Sequence, residues 1–339
     1  MEKYIGKCLD SLLIPEFDQV EVLVVNDGSK DCSSEIAHSY ADRYPGSIRV
    51  IDKPNGNYGS CINAALPQCT GRYVKVLDAD DTFDTAAFSQ FVRKLKDCNE
   101  DAIITNYITV NEFDKESAKS DFNSWNINFD EIIPMDSAWQ VIRKQFILMH
   151  MLTYKWSIFS KFNYHQTEGI SYTDREWASI PICCCNDFRF LNLQVYKYLL
   201  GREGQTMSPA QMSAKFSHLL QVVDTLCKYY SNCDFKLEVV KDHILFNVIR
   251  HHCDVYKIGV KTNLENIISL IRNYDKALKD LHPEVYNGIG KYRIYPFLSY
   301  YFFQRLRDKN YPLKLNIPFL IKVTASMHFR MEKLFHKNQ

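Results

Sequence analysis

Blocks of apolar residues alternate with polar, turn-forming residues over the first 205 positions. The run VEVLVVND at residues 20–27 is almost continuously apolar and predicts a buried strand, whereas SSEIAHSYADRY repeats its apolar residues at helical spacing. The same pattern predicts further strands at SIRVID, RYVKVLD and DAIITNYITV and helices at SCINAALPQC and TAAFSQFVRKLKDC. Strands that alternate with crossover helices predict an α/β fold, with a mostly parallel sheet that carries helices on both faces.

The pattern becomes helical in the second part of the chain. Apolar residues recur three and four positions apart in SAKFSHLLQVVDTLCKYY, DHILFNVIRHHCDVY and NLENIISLIRNYDKAL. This change predicts two domains, at residues 1–205 and 206–339, of which the second is helical. Its tail from residue 292 is aromatic and cationic, which suits either helices packed on the body of the protein or a peripheral contact with a membrane surface or a partner.

Composition and charge exclude several classes of protein. Hydrophobic residues make up 46% and charged residues 24% of the 339 positions, which is ordinary for a globular chain. With 41 basic and 40 acidic residues the net charge is +1, so we expect no nucleic-acid partner. The 11 cysteines follow no metal-binding or disulfide spacing and predict free thiols in the cytoplasm. No apolar run reaches the ~18 residues that a membrane-spanning helix needs.

Acidic residues collect where two of the predicted strands end. Asp27 ends the strand VEVLVVND, and Asp78, Asp80 and Asp81 come at the end of the strand that starts RYVKVL. Parallel strands end at one edge of a sheet, where the ligands of such folds bind. Neighbouring carboxylates disfavour each other's ionised forms unless a cation lies among them, and Mg²⁺ and Mn²⁺ prefer oxygen ligands. Asp78 and Asp80 therefore predict half of a metal–diphosphate site, with Asp81 as a helix or turn cap; the alternative is that all three are surface turn and cap residues.

Three segments carry a resemblance to a known family. VEVLVVNDGSKD, NGNYGSCINAALPQCTGRYVKVLDADD and EGISYTDREW follow one another in an order and at distances that resemble those of family-2 glycosyltransferases, which are inverting enzymes of the GT-A fold. The resemblance covers roughly residues 1–205. It implies that Asp27 helps to hold the nucleotide base, that Asp78 lies near the ribose and diphosphate, and that Asp80 binds a divalent cation, Mg²⁺ or Mn²⁺.

The resemblance also implies a general base that takes a proton from the acceptor hydroxyl. The acidic pair of the family reads Thr173-Asp174 here, so Asp174 is the candidate and Glu176 is its rival. Arg202 lies in the Gly-flanked loop LLGREGQT and suits either a contact with the diphosphate or an ordinary loop cation. The implied activity is transfer of a sugar from a nucleoside-diphosphate donor, UDP by analogy, to a glycan or lipid-linked acceptor in cell-surface polysaccharide synthesis. The implied location is the cytoplasm or the inner face of the cell membrane.

The chain departs from the family pattern at its start. Family members begin with an apolar strand and a P-x-Y-N turn, whereas MEKYIGKCLDSLL predicts the helix that follows that turn. We therefore expect the usual first strand to be missing, either because Met1 is internal to a longer protein or because the chain is a truncated relative.

Two other functions stay open. Loss of a central strand would suit a non-catalytic scaffold that binds a nucleotide or a glycan. VLDADDTF also fits the D-x-D-x-T motif of haloacid-dehalogenase-like phosphatases, in which Asp78 would be the nucleophile and Asp80 the general acid–base. Those phosphatases usually carry the motif near the N-terminus, commonly with glycine at the position of Asp81, and need a later acidic pair that this sequence does not supply convincingly.

Overall fold

The computed structural model describes residues 1–291 apart from 121, 123, 124, 126, 144, 203, 207, 236 and 263. The aromatic and basic tail from residue 292 lies outside the described residues. Residue contacts group the chain into a first unit, Met1–Thr206 with Phe235–Ile244, and a second unit, which comprises the described residues of Met207–Asp234 and of the chain from Leu245 onward. Independent folding of two domains, divided at residue 205, stays a prediction.

Two sheets form the centre of the first unit. The smaller has two parallel strands, β1 (Val22–Asp27) and β2 (Ile48–Lys53). The larger has seven strands: β3 (Tyr73–Val74), β4 (Thr82–Phe83), β5 (Ala102–Val110), β6 (Glu116–Lys119), β7 (Ile132–Pro134), β8 (Leu152–Lys155) and β9 (Asp187–Leu199). Their order is β3–β8–β5–β9–β4, with β6 beside β5 and β7 beside β9.

The predicted α/β class with a helical C-terminal region is confirmed. The sheet was also predicted to be mostly parallel, and here the strand directions differ from the prediction. Among the described strands, β1–β2 and β5–β9 pair in parallel, and the other five pairs are antiparallel. An alternating strand–helix pattern indicates direction only for strands that a crossover helix joins. β8 and β9 lie beyond the alternating stretch, so the pattern carried no information about their direction.

Helices precede, separate and follow the strands. In the first unit they begin with α1 (Ile5–Asp10), α2 (Ser33–Arg43), α3 (Asn57–Ala65), α4 (Thr85–Leu95), α5 (Met135–Ile142), α6 (Ser157–Lys161) and α7 (Asp174–Ser179). The chain continues with α8 (Pro209–Ala214), α9 (Phe216–Asn232), α10 (Glu238–Thr262), α11 (Glu265–Leu281) and α12 (Pro283–Lys291). Among the described residues, no helix combines the length and the apolar character that crossing a bilayer requires.

Alternate residues of β5 enter two separate apolar clusters. Ile103 joins a cluster that contains Phe91 of α4, and Ile104 joins a cluster that contains Trp139 of α5 and Trp177 of α7. Successive side chains of a strand point to opposite faces of the sheet. Helices therefore cover both faces of the larger sheet, as the sequence predicted.

β1 is less buried than its apolar sequence predicted. All six residues of β1 are half-buried, and within the described part of the chain no strand joins the small sheet to the larger one. β1 therefore has a strand neighbour on one side only, which leaves its other edge partly open. The described chain starts with the predicted helix, α1, which packs Ile5 and Leu9 into the same cluster as Ile103.

Candidate active site

The loop after β3 carries the three aspartates predicted at the end of this strand. Asp81 is 1% exposed, and the Tyr196 hydroxyl and the Leu199 N–H of β9 donate hydrogen bonds of 2.6 and 2.7 Å to its two carboxylate oxygens. The Asp78 N–H donates in turn to the Tyr196 hydroxyl oxygen at 3.2 Å. Strand β9 therefore holds the acidic loop in place, mainly through Asp81.

Asp81 does not cap the helix that follows. The N-cap of α4 is Asp84, whose side chain accepts a hydrogen bond from the Ala87 N–H at 3.0 Å. The interpretation of Asp81 as a helix cap is wrong, because this residue comes before the first turn of α4 and its carboxylate is already bonded to β9. Asp81 is also not an exposed turn residue, because its side chain is buried. Its N–H does close a turn, since it donates to the Asp78 carbonyl at 3.0 Å.

Carboxyl groups are crowded together in the acidic loop. Burial raises the pKa of Asp78 well above its usual range, and the charges of Asp81, Asp80 and Asp174 raise it further. Burial, followed by the charge of Asp80, raises the pKa of Asp81 to about 7. Ionising these carboxylates together is costly unless a cation lies nearby. The loop is thus suited to a divalent cation that prefers oxygen ligands.

Asp80 is paired with a cationic side chain. The Nε of Arg202 donates to the Asp80 carboxylate, and both side chains are 12% exposed. The guanidinium also lies over the Tyr4 ring, 5.8 Å from its centroid. Arg202 follows β9 in a loop where Gly201 and Gly204 have φ values of +91° and +73°, a region that favours glycine. The residue predicted to bind the metal and the residue predicted to contact the diphosphate are therefore paired with each other.

The two candidate bases, Asp174 and Glu176, lie in α7 in different surroundings. Asp174 is partly exposed, and burial raises its pKa while Arg175 lowers it. Glu176 is 0% exposed, and burial raises its pKa to about 7. Its Oε2 accepts a hydrogen bond of 2.9 Å from the Thr167 N–H, and its Oε1 has no hydrogen-bond partner among the described residues. The charge of Asp174 contributes to the raised pKa of Asp78, so Asp174 is the candidate base that interacts with the acidic loop.

The segment before α7 has a strained backbone. Tyr172 has a φ of +72°, which is unusual for a residue with a side chain. Its hydroxyl donates to the Thr206 carbonyl at 2.9 Å, and the Gln166 amide donates to the Thr173 carbonyl at 2.8 Å. These contacts hold the chain in the conformation from which Asp174 begins its helix.

Asp27 ends β1 and orders the loop after β2. Its carboxylate accepts hydrogen bonds from Lys53 Nζ at 2.6 Å and from the Gly56 N–H at 2.9 Å. Burial raises the pKa of the Cys61 thiol in α3 to about 11, and the charges of both Asp27 and Asp78 contribute to this shift. The ends of β1 and β3 therefore both bring a carboxylate near Cys61.

Strand β9 also supplies an aromatic residue that the sequence analysis did not identify. Burial raises the pKa of the Tyr198 phenol, and so do the charges of four carboxylates. These are Asp81, Asp174, Asp78 and Asp80. The charges of four carboxylates thus act on one tyrosine. Tyr196 and Tyr198 alternate with a lysine in VYKYL, and this spacing of two, which places both rings on one face of a strand, was the available signal.

A lysine and a histidine beside the acidic loop were also missed. Lys75 Nζ donates to the carbonyls of His150 and Leu152 at 2.8 and 3.2 Å, and burial lowers the pKa of Lys75 to about 7. One ring nitrogen of His150 and carboxylate oxygens of Asp78 and Asp81 lie within 4.8 Å of one another. Two carboxylates and an imidazole are a donor set that fits a divalent metal ion. A polar residue inside an apolar run, as in VKVL and LMHML, was the available signal.

Comparisons with known proteins bear on the family and the fold of the chain. Residues 1–163 match the family described as Glycosyl transferase family 2. An uncharacterized glycosyltransferase of Mycoplasma pneumoniae, the MG025 homolog, is 42% identical over 92 residues, which are 26% of this chain and 30% of that protein. The hyaluronan synthase of Pasteurella multocida is 23% identical over 300 residues, which are 85% of this chain and 28% of that protein. A crystal structure of S. aureus TarS 1-349 in complex with UDP has a TM-score of 0.55 and 17% identity, and the match covers 90% of this chain and 87% of that one.

These matches identify the family of the first part of the chain. The chain spans between 16% and 30% of the length of three curated relatives. The likeness to TarS concerns the fold, since the two sequences share 17% identity. With the family match it confirms the GT-A-like α/β fold that the sequence predicted. Residues 1–163 belong to glycosyl transferase family 2.

Proposed function

We propose that this protein is an inverting glycosyltransferase, which moves a sugar from a UDP-linked donor to a hydroxyl group of a glycan or lipid-linked acceptor. The observation that carries the proposal is the acidic loop after β3, in which carboxylate oxygens of Asp78 and Asp81 lie within 4.8 Å of a His150 ring nitrogen and on which the charge of Asp174 in α7 also acts. A single displacement at the anomeric carbon needs a base for the incoming hydroxyl and compensation for the charge of the leaving diphosphate. A carboxylate of α7 would be the base, and the carboxylates of the loop after β3 would hold a cation that offsets the charge of the diphosphate.

The donor would lie along the ends of β1 and β3. Asp27 would contact the nucleotide base, Asp78 the ribose and diphosphate, and Asp80 a divalent cation. That cation, when bound, acts as a Lewis acid on the charge that develops on the diphosphate. Because Asp80 is paired with Arg202, we expect this pair to separate when the donor binds and Arg202 to turn to the diphosphate oxygens.

The acceptor hydroxyl would lose its proton to Asp174. Partial exposure leaves this carboxylate accessible to an acceptor, and burial raises its pKa, which strengthens it as a proton acceptor. Glu176 is fully buried and accepts a hydrogen bond from Thr167, so it supports the local fold instead.

The names of similar proteins support the choice of substrates. TarS 1-349 was crystallised with UDP, and a relative from Pasteurella multocida is named hyaluronan synthase. UDP is therefore the carrier we propose, and a cell-surface polysaccharide is the class of product. We place the reaction in the cytoplasm or at the inner face of the cell membrane, where the aromatic and basic tail would make a peripheral contact.

Calorimetric titration of UDP with and without Mn²⁺ tests the donor site. We expect Mn²⁺ to tighten UDP binding in the wild type and Asp80→Asn to remove this effect, because the amide is a poor ligand for a hard cation. The loss in affinity should exceed the ~10–100-fold cost of removing an outer-shell partner of a metal. Asp114→Asn is the matched control, since Asp114 is exposed and paired with Lys7 at 2.7 Å. Mn²⁺-dependent UDP binding that persists in Asp80→Asn contradicts the assignment.

Incubation with UDP-sugars separates the alternatives. The transferase hydrolyses or transfers the sugar, whereas a scaffold binds UDP without turnover. A phosphatase would instead carry a phosphoryl group on Asp78 after incubation with a phosphate ester, and mass spectrometry of the intact chain would detect this added mass.

A further inference from the structure

A buried histidine completes a set of metal ligands that does not include Asp80. Ligand atoms of His150, Asp78 and Asp81 lie within 4.8 Å of one another. Ligands about 2.1 Å from a small divalent cation stand about 3–4 Å apart, so a slight contraction of this set would enclose an ion. The three residues come from two separate parts of the chain, which the fold brings together.

The imidazole of His150 packs between two tyrosine rings, and one of its nitrogens has no hydrogen-bond partner among the described residues. Its ring stacks on Tyr198 at 4.4 Å and meets Tyr196 edge-on at 4.6 Å, and its backbone carbonyl accepts a hydrogen bond from Lys75. His150 is 7% exposed, and its Nδ1 has no hydrogen-bond partner among the described residues. A buried polar atom without a partner is costly and calls for an explanation such as an ion.

The carboxylate of Asp81 is oriented by partners of the kind that surround metal ligands. Tyr196 and the Leu199 N–H each donate to one of its oxygens. Outer-shell donors of this type fix the direction of a ligating carboxylate and leave its remaining lone pairs available to a cation.

We propose that His150, Asp78 and Asp81 form a second divalent cation site, which binds a transition metal ion such as Mn²⁺ in the absence of nucleotide. An imidazole nitrogen favours transition ions over Mg²⁺, which prefers oxygen ligands and retains its water. The site goes beyond the proposed donor function, because the cation at Asp80 is shared with a diphosphate whereas this one has three protein ligands. Asp80 is engaged by Arg202 and is not needed here.

Electron paramagnetic resonance of Mn²⁺ bound to the nucleotide-free protein tests this site. Electron spin-echo envelope modulation reports ¹⁴N nuclei that are directly coordinated to Mn²⁺. We expect a ¹⁴N coupling in the wild type and its loss in His150→Phe, which keeps an aromatic ring between Tyr196 and Tyr198 but has no nitrogen. His165→Phe is the matched control, because His165 is an exposed histidine beside Glu168.

One further measurement needs no variant, because wild-type protein with ¹⁵N-labelled histidine should replace the ¹⁴N coupling by a ¹⁵N coupling. In addition, Asp81→Asn should weaken nucleotide-free Mn²⁺ binding by at least ~10-fold. Absence of any histidine coupling in the wild type overturns the proposal, and so does a coupling that survives in His150→Phe and disappears in His165→Phe.

The two cation sites are distinguishable in one variant. Asp80→Asn should keep the nucleotide-free histidine coupling while it loses Mn²⁺-dependent UDP binding. Loss of the coupling in Asp80→Asn would assign the histidine to the donor cation and overturn a separate site. Absence of the coupling in the wild type, with UDP binding intact, would remove the second site and leave the proposed transferase unaffected.

Discussion

Asp174 and Glu176 lie two positions apart, and their surroundings give them different chemistry. Asp174 is partly exposed and its charge reaches the acidic loop, whereas Glu176 is buried against the Thr167 N–H. A general base must reach the hydroxyl that it deprotonates. Access therefore favours Asp174, although burial raises the pKa of both carboxyls.

We expect Asp174→Asn to lower sugar transfer by about 10²-fold or more, because an amide cannot take a proton from the acceptor. UDP binding should stay near the wild-type value, since the proposed donor site lies at the ends of β1 and β3. Steady-state transfer with UDP-sugar, together with calorimetric binding of UDP, measures the two effects separately.

Glu176→Gln is the matched comparison for the base. Its side-chain oxygen still accepts the hydrogen bond from Thr167, so we expect transfer close to the wild-type rate. The opposite result, in which Asp174→Asn transfers normally and Glu176→Gln does not, would make Glu176 the base.

Positions of candidate residues were predictable where a local pattern marks them, whereas their roles stay predictions. Asp27 ends β1, and Asp78 lies in the loop after β3, as their apolar runs indicated. The pairing of Asp80 with Arg202 and the bond from Tyr196 to Asp81 were not predictable, since these partners are 122 and 115 positions apart. No local pattern reports a contact across such a separation, and so the burial of Asp81 was missed.

At the scale of elements, α3 is fixed by a close approach of two backbones. A Cβ added at Gly59 would lie 2.0 Å from the Thr167 carbonyl oxygen, which is far inside any allowed contact. Gly56 precedes the helix, and Asn57, its first residue, has a φ of +64°. The first residue of the helix therefore has an unfavourable backbone conformation. The helix lies against the backbone of Thr167, whose N–H donates to Glu176.

We expect Gly59→Ala to lower the free energy of unfolding by about 1–3 kcal/mol, because the added methyl group forces the backbone of Thr167 to move. This loss opposes the gain of about 0.5–1 kcal/mol that alanine usually brings to a helix. Urea denaturation followed by circular dichroism measures the difference.

Gly46→Ala is the control for this substitution. A Cβ at Gly46 meets no atom within 4 Å, so its stability should change little. Equal stabilities of Gly59→Ala and Gly46→Ala would contradict the close approach.

Elements were predictable where one strand leads through a helix to the next. β1, α2, β2, α3, α4 and β5 follow that rule and appear near the predicted positions. β9 was not predicted, because the polar residues of DFRFLNLQVYKYL interrupt a simple alternation over its 13 residues. The segment is extended because it pairs with β5, β4 and β7, and strand pairing is a tertiary effect.

At the scale of the whole molecule, the first unit includes a segment that lies far along the chain. Phe235–Ile244 belongs to the first unit, and Val240 is 2% exposed in the cluster of Trp139. The His243 ring lies 4.9 Å from the Trp139 ring, and its Nδ1 lies 3.1 Å from the Ile142 carbonyl oxygen. A domain boundary at residue 205 would remove these contacts.

We expect a fragment of residues 1–205 to be less stable than the same fragment joined through a Gly/Ser linker to residues 235–244. The difference should be about 2–5 kcal/mol, the range found when a large side chain is removed from a core. Tryptophan fluorescence during urea denaturation measures it. Val240→Asp in the linked fragment should abolish the gain, and equal stability of the two fragments would show that residues 1–205 form a complete domain.

The ion pair of Asp80 with Arg202 makes the loop after β9 a competitor of the proposed cation for one carboxylate. Thermodynamic linkage between such competitors is reciprocal, so the factor by which the cation weakens the loop contact equals the factor by which the loop contact weakens cation binding. A diphosphate that draws Arg202 away would raise the affinity of Asp80 for the cation, even if the diphosphate made no contact with Asp80. Cooperative uptake of cation and nucleotide would then follow from the release of a single ion pair.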